Sequence, residues 1–76
     1  MLEKMQAAIL DEYEDVVAYC AMAEKADDKY KSILRTIAEE EWTHAKHLAD
    51  IIEDMGGAMS DEMKAAHDEA HDALYN

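Results

Sequence analysis

The chain has few of the residues that interrupt helices. None of its 76 residues is proline, and its two glycines are adjacent, at Gly56 and Gly57. Alanine, methionine, leucine, glutamate and lysine, which all favour helices, are frequent. The sequence therefore predicts an all-α protein in which the glycine pair ends a helix.

Cysteine is nearly absent as well. Cys20 is the sole cysteine, so no disulfide can form within the chain, and a lone thiol is typical of a reducing, cytoplasmic setting. We expect Cys20 to be a small core residue. A chain this short buries only a small core, and without disulfides such chains usually need a metal ion or self-association to be stable.

Positive charge and long apolar segments are also scarce. Seven basic side chains against nineteen acidic ones give a formal charge of −12. This balance argues against binding to nucleic acid or to anionic membranes and favours the attraction of cations. No apolar run approaches the roughly 18 residues of a membrane span, and we expect no signal peptide at the N-terminus.

Apolar spacing and capping signals predict three helices in a single domain, residues 1–76. The helices are expected over about residues 2–26, 29–55 and 61–74. Either aspartate of the turn at Asp27 and Asp28 can cap the second helix, and Ser60 can cap the third. Two long helices joined by a tight turn predict an antiparallel hairpin, with a short helix after it.

Each long helix carries an apolar stripe at alternating spacings of three and four residues, the pattern of bundle packing. The stripe positions are Leu2, Met5, Ile9, Glu12, Val16, Tyr19, Ala23, Ala26, Tyr30, Leu34, Ile37, Glu41, His44, Leu48, Ile51 and Met55. Only Glu12, Glu41 and His44 among them are ionisable near neutral pH. These three residues interrupt what is otherwise an apolar surface.

The three interruptions are expected at one height in the hairpin. Glu12 lies about 15 residues before the turn, and Glu41 and His44 lie about 13 and 16 after it, so all three are roughly 20–24 Å from the turn. Alone, each could be a glutamate reaching solvent or a hydrogen-bonded core histidine. Together, two packed carboxylates are costly unless a cation compensates them. The spacing therefore predicts a metal site.

The segments that carry these residues resemble the ferritin-like superfamily. The segment "DEYEDVVAYCAMAEKA" places Glu12 seven residues before Tyr19, and "DDKYKSILRTIAEEEWTHAKHLADIIEDMG" carries a Glu-x-x-His motif at Glu41 and His44. Classical ferritins and rubrerythrins carry two such halves in one chain. This chain carries one half, and it most resembles the encapsulated ferritins, which act inside encapsulin nanocompartments.

The resemblance implies a ferroxidase whose site is completed by a second subunit. The ferritin-like ligand set is a Glu from each of two helices and a Glu-x-x-His from each of two others, so a homodimer would hold two iron ions in a four-helix bundle. Dimers would assemble further into a ring, with an encapsulin shell as the partner. Carried over by position, the iron ligands are Glu12, Glu41 and His44, the nearby phenol is Tyr19, and the metal-entry residues are Asp11 and Glu14.

Other residues are expected to play smaller parts. Trp42 lies off the stripe and is interpreted as an interface anchor, and His47 should be exposed. His67 and His71 are four residues apart on the third helix and could bind a metal, although a solvated or packing role is favoured.

The third helix is also expected to contact a neighbouring chain. Met59, Met63 and Leu74 are the side chains interpreted as making this contact, which would help higher assembly.

Two other kinds of function fit the same pattern. A rubrerythrin-like protein would consume peroxide at the di-iron centre, but it would normally have a four-cysteine iron centre to supply electrons. A non-enzymatic dimerisation module would use the buried polar residues only to fix register.

Overall fold

A computed structural model of the chain describes residues 1–76 and contains three helices and no strand. The helices are α1 (Leu2–Lys25), α2 (Asp28–Asp54) and α3 (Asp61–Tyr75). α1 and α2 pack along each other as a hairpin, and α3 packs mainly on α1. The all-α prediction is confirmed, and every predicted helix end lies within one residue of the observed end. None of the helices combines the length and apolarity that crossing a membrane requires.

The glycine pair ends α2 by a specific hydrogen-bonding arrangement. Gly56 adopts a φ of +80°, a conformation that side-chain-bearing residues rarely adopt. The Gly56 N–H donates to the Glu53 carbonyl at 3.0 Å, and the Gly57 N–H donates to the Ile52 carbonyl at 2.9 Å. This is the Schellman motif, which satisfies carbonyls that the helix itself leaves free.

The N-termini of α2 and α3 differ in how they are capped. The Ser60 hydroxyl accepts a hydrogen bond from the Met63 N–H at 3.1 Å, as predicted for α3. Asp27 occupies the N-cap position of α2, but its side chain makes no capping hydrogen bond. The aspartate turn therefore marks the start of α2 without forming the predicted cap contact.

The core lies between the hairpin and α3. Its buried residues are Ile9, Tyr13, Val16, Cys20, Ala38, Trp42, Ala45, Ile52, Met63, Ala70 and Leu74. Cys20 is a buried core residue, as expected. On α2 this set is not the predicted stripe, because Tyr30, Ile51 and Met55 are 49%, 45% and 51% exposed. The buried positions of α2 form a second stripe beside the predicted one.

Two interpretations of the sequence are corrected by this packing. Trp42 is only 9% exposed and belongs to the core of its own chain, because α3 covers that side of the hairpin. It is therefore not an interface anchor. Met63 and Leu74 are buried in the same core, so these two side chains are not free to contact a neighbouring chain. Met59 packs against the core but is only partly buried, and its contact stays a prediction.

The other side of the hairpin remains uncovered. Its large exposed apolar side chains are Met22, Tyr30, Ile33, Ile51 and Met55. By helical periodicity these residues lie on the side turned away from α3. We call this group the open face, and we call the buried α2 residues Ala38, Trp42, Ala45 and Ile52 the covered face.

Candidate metal centre

Glu12, Glu41 and His44 come together midway along the hairpin. One potential ligand atom from each residue lies within 4.8 Å of the others. Glu12 and Glu41 are half-buried, and His44 is exposed on the same side as the open face. The convergence expected from residue heights along the two helices is therefore found in the structure.

Helix geometry and small neighbours position this three-residue cluster. Glu41 and His44 are three residues apart on α2 and so project from the same side of the helix. Ala38 and Ala45, which flank Glu41 by one turn in each direction, are fully buried. Their short side chains let α1 approach α2 closely, and Glu12 can therefore reach across from α1.

Glu12 carries an oxygen that nothing in the chain satisfies while the neighbouring Glu41 is ionised. Its Oε2 atom is buried and has no hydrogen-bond partner. The imidazole of His44 is nearby, but its Nδ1 lies 3.7 Å from this oxygen, too far for a hydrogen bond. A buried acceptor without a partner is destabilising. The chemistry of the cluster therefore suits a cation, which would satisfy this oxygen.

The neighbouring Glu12 carboxyl group also shifts the pKa of Glu41. Its pKa is raised from 4.5, first because a proton on Glu41 can be shared with the Glu12 carboxyl group, and then because of burial and of the Glu12 charge. The positive charge of a protonated His44 acts in the opposite direction. Wherever the pH leaves a proton on Glu41, a cation that binds at the cluster would displace it.

The other predicted site residues lie outside the cluster. Tyr19 is half-buried and packs against the core, about 10 Å further along α1 than Glu12. Asp11 and Glu14 are exposed on either side of Glu12 in the sequence. Their parts as a nearby phenol and as metal-entry residues stay predictions. His47 is exposed, as expected.

Tyr13 and Trp42 are two neighbours of the cluster that the predicted stripe does not include. Their rings pack at a centroid distance of 5.8 Å and an interplanar angle of 49°. They follow Glu12 and Glu41 in the sequence, and consecutive helical residues point about 100° apart. The ring pair therefore anchors both glutamate-bearing turns to the core. Burial raises the pKa of Tyr13 and keeps its phenol neutral.

A second periodic pattern in the sequence could have revealed this pair. On α1 the buried residues Ile9, Tyr13, Val16 and Cys20 recur at spacings of three and four residues, as those of the predicted stripe do. On α1 this pattern shares Ile9 and Val16 with the predicted stripe and differs from it at Tyr13 and Cys20, whereas on α2 the buried residues form a separate stripe beside the predicted one.

The donor set suits iron. Carboxylate and imidazole ligands suit ferrous iron, and also manganese and zinc. One chain contributes only two carboxylates and one imidazole to the cluster.

Comparison with protein-family models gives a match over most of the chain. The model described as Rubrerythrin matches residues 3–74. The chain belongs to the rubrerythrin family. Rubrerythrins are ferritin-like, so the superfamily resemblance seen in the sequence is confirmed, and rubrerythrin-type domains bind iron. No curated protein and no solved structure gives a significant match.

Proposed function

We propose that this rubrerythrin-family chain is a ferroxidase, which oxidises Fe²⁺ to Fe³⁺ at a di-iron centre shared by two subunits. The convergence of Glu12, Glu41 and His44 around a buried, unpartnered carboxylate oxygen is the main support. Iron is the substrate in this proposal, and the oxidised iron passes on to storage or detoxification.

A second copy of the chain completes the proposed centre. The ferritin-like ligand set has four Glu and two His, and two chains related by a two-fold axis supply that number. Four carboxylates also balance the charge of two ferrous ions. The open face supports this pairing because its five large apolar side chains lie on the same side of the hairpin as His44. Exposed apolar groups of this size are typical of contact surfaces.

Further assembly belongs to the same proposal. Dimers joined in a ring would have no closed interior, so mineral storage would need a separate container. An encapsulin shell is the container that the family resemblance implies.

The chain's own residues bind iron and manage a proton. Glu12, Glu41 and His44 would hold the ferrous ions, and each ion would supply one electron. Two electrons and two protons convert oxygen to hydrogen peroxide, or hydrogen peroxide to two waters. Any proton held on Glu41, whose pKa is raised, would leave as iron enters. The neighbouring Tyr13–Trp42 pair would hold the two glutamates in place during turnover.

The family match favours a second candidate, a di-iron protein that reduces peroxide. Iron would then remain bound as a cofactor, and each peroxide would take up two electrons and two protons to give two waters. Because the chain has a single cysteine, the electrons would come from another molecule. The non-enzymatic dimerisation module is the third candidate.

Native mass spectrometry before and after anaerobic addition of Fe²⁺ tests the shared centre. We expect an even-numbered oligomer that gains about two iron ions per pair of chains. Glu41→Ala and His44→Ala should abolish this gain. Glu40→Ala and His47→Ala are matched controls, because both residues are exposed on the same helix. A monomer, or an oligomer that binds no iron, would contradict the proposal.

Counting oxidised iron separates the two enzymatic candidates. A ferroxidase should oxidise many more ferrous ions than the two that fill each dimer, because iron is consumed as a substrate. A peroxide-reducing protein should stop at the bound pair until a reductant is added, and it should then consume peroxide repeatedly. A dimer that keeps its register without metal and oxidises nothing would be the dimerisation module.

A further inference from the structure

Helix α3 carries a pair of imidazoles that the proposed iron centre does not use. His67 and His71 lie four residues apart, about one helical turn. Their ring centroids are 6.2 Å apart and their planes differ by 20°, so the two rings lie nearly parallel on one side of α3. Neither residue belongs to the three-residue cluster of Glu12, Glu41 and His44.

The Asp68 carboxylate orients the first imidazole of this pair. Asp68 Oδ1 lies 3.0 Å from His67 Nδ1. This contact favours a proton on Nδ1 and leaves the Nε2 lone pair of His67 free. A carboxylate hydrogen-bonded to the far nitrogen is the usual support of a metal-binding histidine, because it fixes the tautomer and raises ligand basicity. The nitrogens of His71 have no hydrogen-bond partner within the chain.

Aromatic packing restrains both rings without burying either of them. The Trp42 ring lies 5.1 Å from His67 and 5.8 Å from His71, measured between centroids. Tyr13 meets His67 edge-on at 5.7 Å, and Tyr75 packs on His71 at 5.0 Å. The side chain of His67 is nevertheless 40% exposed. The packing role expected for these histidines is therefore compatible with binding at the ring edges.

We propose that His67 and His71 form a second metal site, which binds one late first-row transition ion (Cu²⁺, Ni²⁺ or Zn²⁺) through one nitrogen of each ring. Water would complete the coordination. Paired imidazoles suit these ions, whereas the iron centre is rich in carboxylate. The net charge of −12 attracts divalent cations to the surface.

Only a small adjustment of the two rings is needed to bind an ion. Metal–nitrogen bonds of about 2.0–2.1 Å place two bound imidazole centroids about 5 Å apart. The observed separation of 6.2 Å is close to this value, and side-chain rotation can supply the difference. An ion held there would also bridge one turn of α3 and so would stabilise the folded helix.

Quenching of tryptophan fluorescence by Cu²⁺ gives a direct test. Trp42 is the sole tryptophan and packs on both rings, so a bound Cu²⁺ should quench its emission at one ion per chain. The titration is made on the Glu41→Ala/His44→Ala variant, which lacks the proposed iron ligands of α2. Binding that persists there is independent of the proposed function.

Matched variants then assign the ligands. His71→Ala should raise the Kd for Cu²⁺ about a hundredfold, because the second ligand acts at high effective concentration. Asp68→Asn should raise it about tenfold through the tautomer of His67. His47→Ala, an exposed histidine on α2, should leave the Kd unchanged. Far-UV circular dichroism checks that α3 remains folded in each variant.

Electron paramagnetic resonance detects the ligands of bound Cu²⁺ without any substitution in α3, so it applies even if an α3 variant loses its fold. Cu²⁺ bound to the Glu41→Ala/His44→Ala protein should show coupling to two imidazole nitrogens. Coupling to one imidazole or none would overturn the site. A Kd that is unchanged by His71→Ala in a folded protein would overturn it as well.

Discussion

Both sides of the α1–α2 hairpin are apolar, but α3 covers only one of them. On α2 the covered face is built from two fully buried alanines, Trp42 and Ile52, whereas the open face exposes Tyr30, Ile33, Ile51 and Met55. The apolar arc of α2 spans roughly half of the helix circumference, which is wider than the stripe that one packing partner requires. Within the chain α1 and α3 cover part of this arc, and the rest of it stays exposed as the open face.

The candidate metal centre lies at the border between the two faces. Glu12 and Glu41 are half-buried. Each lies three residues after a fully buried residue, Ile9 or Ala38, and next to the exposed apolar side chains of the open face. Glutamates at this border are anchored from behind by the core and are accessible from the open face. In the proposed dimer, this arrangement would let a second chain add ligands without disturbing the fold of the first.

Removing the large side chain of the covered face should have the largest effect on stability. Trp42→Ala deletes a core aromatic that packs on Tyr13, and we expect it to lower the free energy of unfolding by about 3–5 kcal/mol. Urea unfolding followed by far-UV circular dichroism measures this loss, which should not depend on protein concentration.

Tyr30→Ala is the matched aromatic truncation on the open face. Tyr30 is exposed, so in the separate chain its loss should change stability by less than about 0.5 kcal/mol. Any larger effect should appear only at concentrations where chains associate. If both truncations destabilise equally at all concentrations, the distinction between the two faces is wrong.

Placing charge on the open face should break self-association while preserving the fold. The double variant Ile33→Asp/Ile51→Asp puts two carboxylates where apolar contact is proposed, and we expect the dimer Kd to rise at least about a hundredfold, or about 2.7 kcal/mol. Sedimentation velocity measures the association, and circular dichroism should show unchanged helix content.

A control for charge alone is available on α3. Ala65 is exposed there, and Ala65→Asp adds charge without touching the open face. This variant should remain as associated as the parent chain. Loss of association in both variants would indicate a general charge effect rather than a contact at the open face.

The sequence predicts the helices and the cluster well because both depend on local periodicity. Three- and four-residue spacing, Ser60 and Gly56 define the helices to within one residue, and counting from the turn brings Glu12 near Glu41. The side that α3 covers is not fixed by such counting. It depends on which of two adjacent stripes the third helix packs against. For this reason the interpretation of Trp42 as an interface anchor is wrong.

Weakening the start of α3 should loosen the covered face by a smaller amount. Ser60→Ala removes the hydroxyl that caps the Met63 N–H, and we expect a loss of about 1 kcal/mol. The dimer Kd should stay the same, because Ser60 lies outside the open face. Ser60→Asp is the matched rescue, since aspartate caps equally well and suits the helix dipole. No recovery of stability in Ser60→Asp would contradict the capping explanation.

The border between the two faces should give the smallest effect, a pH dependence that originates at Glu41. Its pKa is raised in the folded chain, so the metal-free folded state binds the proton more tightly than the unfolded state does. The free energy of unfolding should therefore fall as the pH rises from about 4.5 through the raised folded pKa. Because Glu41 is only half-buried, solvent limits the size of this change.

Urea unfolding in the presence of a chelator, at a series of pH values, should show this slope in the parent chain and in Glu40→Gln but not in Glu41→Gln. An equal slope in all three proteins would mean that the two carboxylates do not share a proton, and the electrostatic reason for a cation at this border would then be lost.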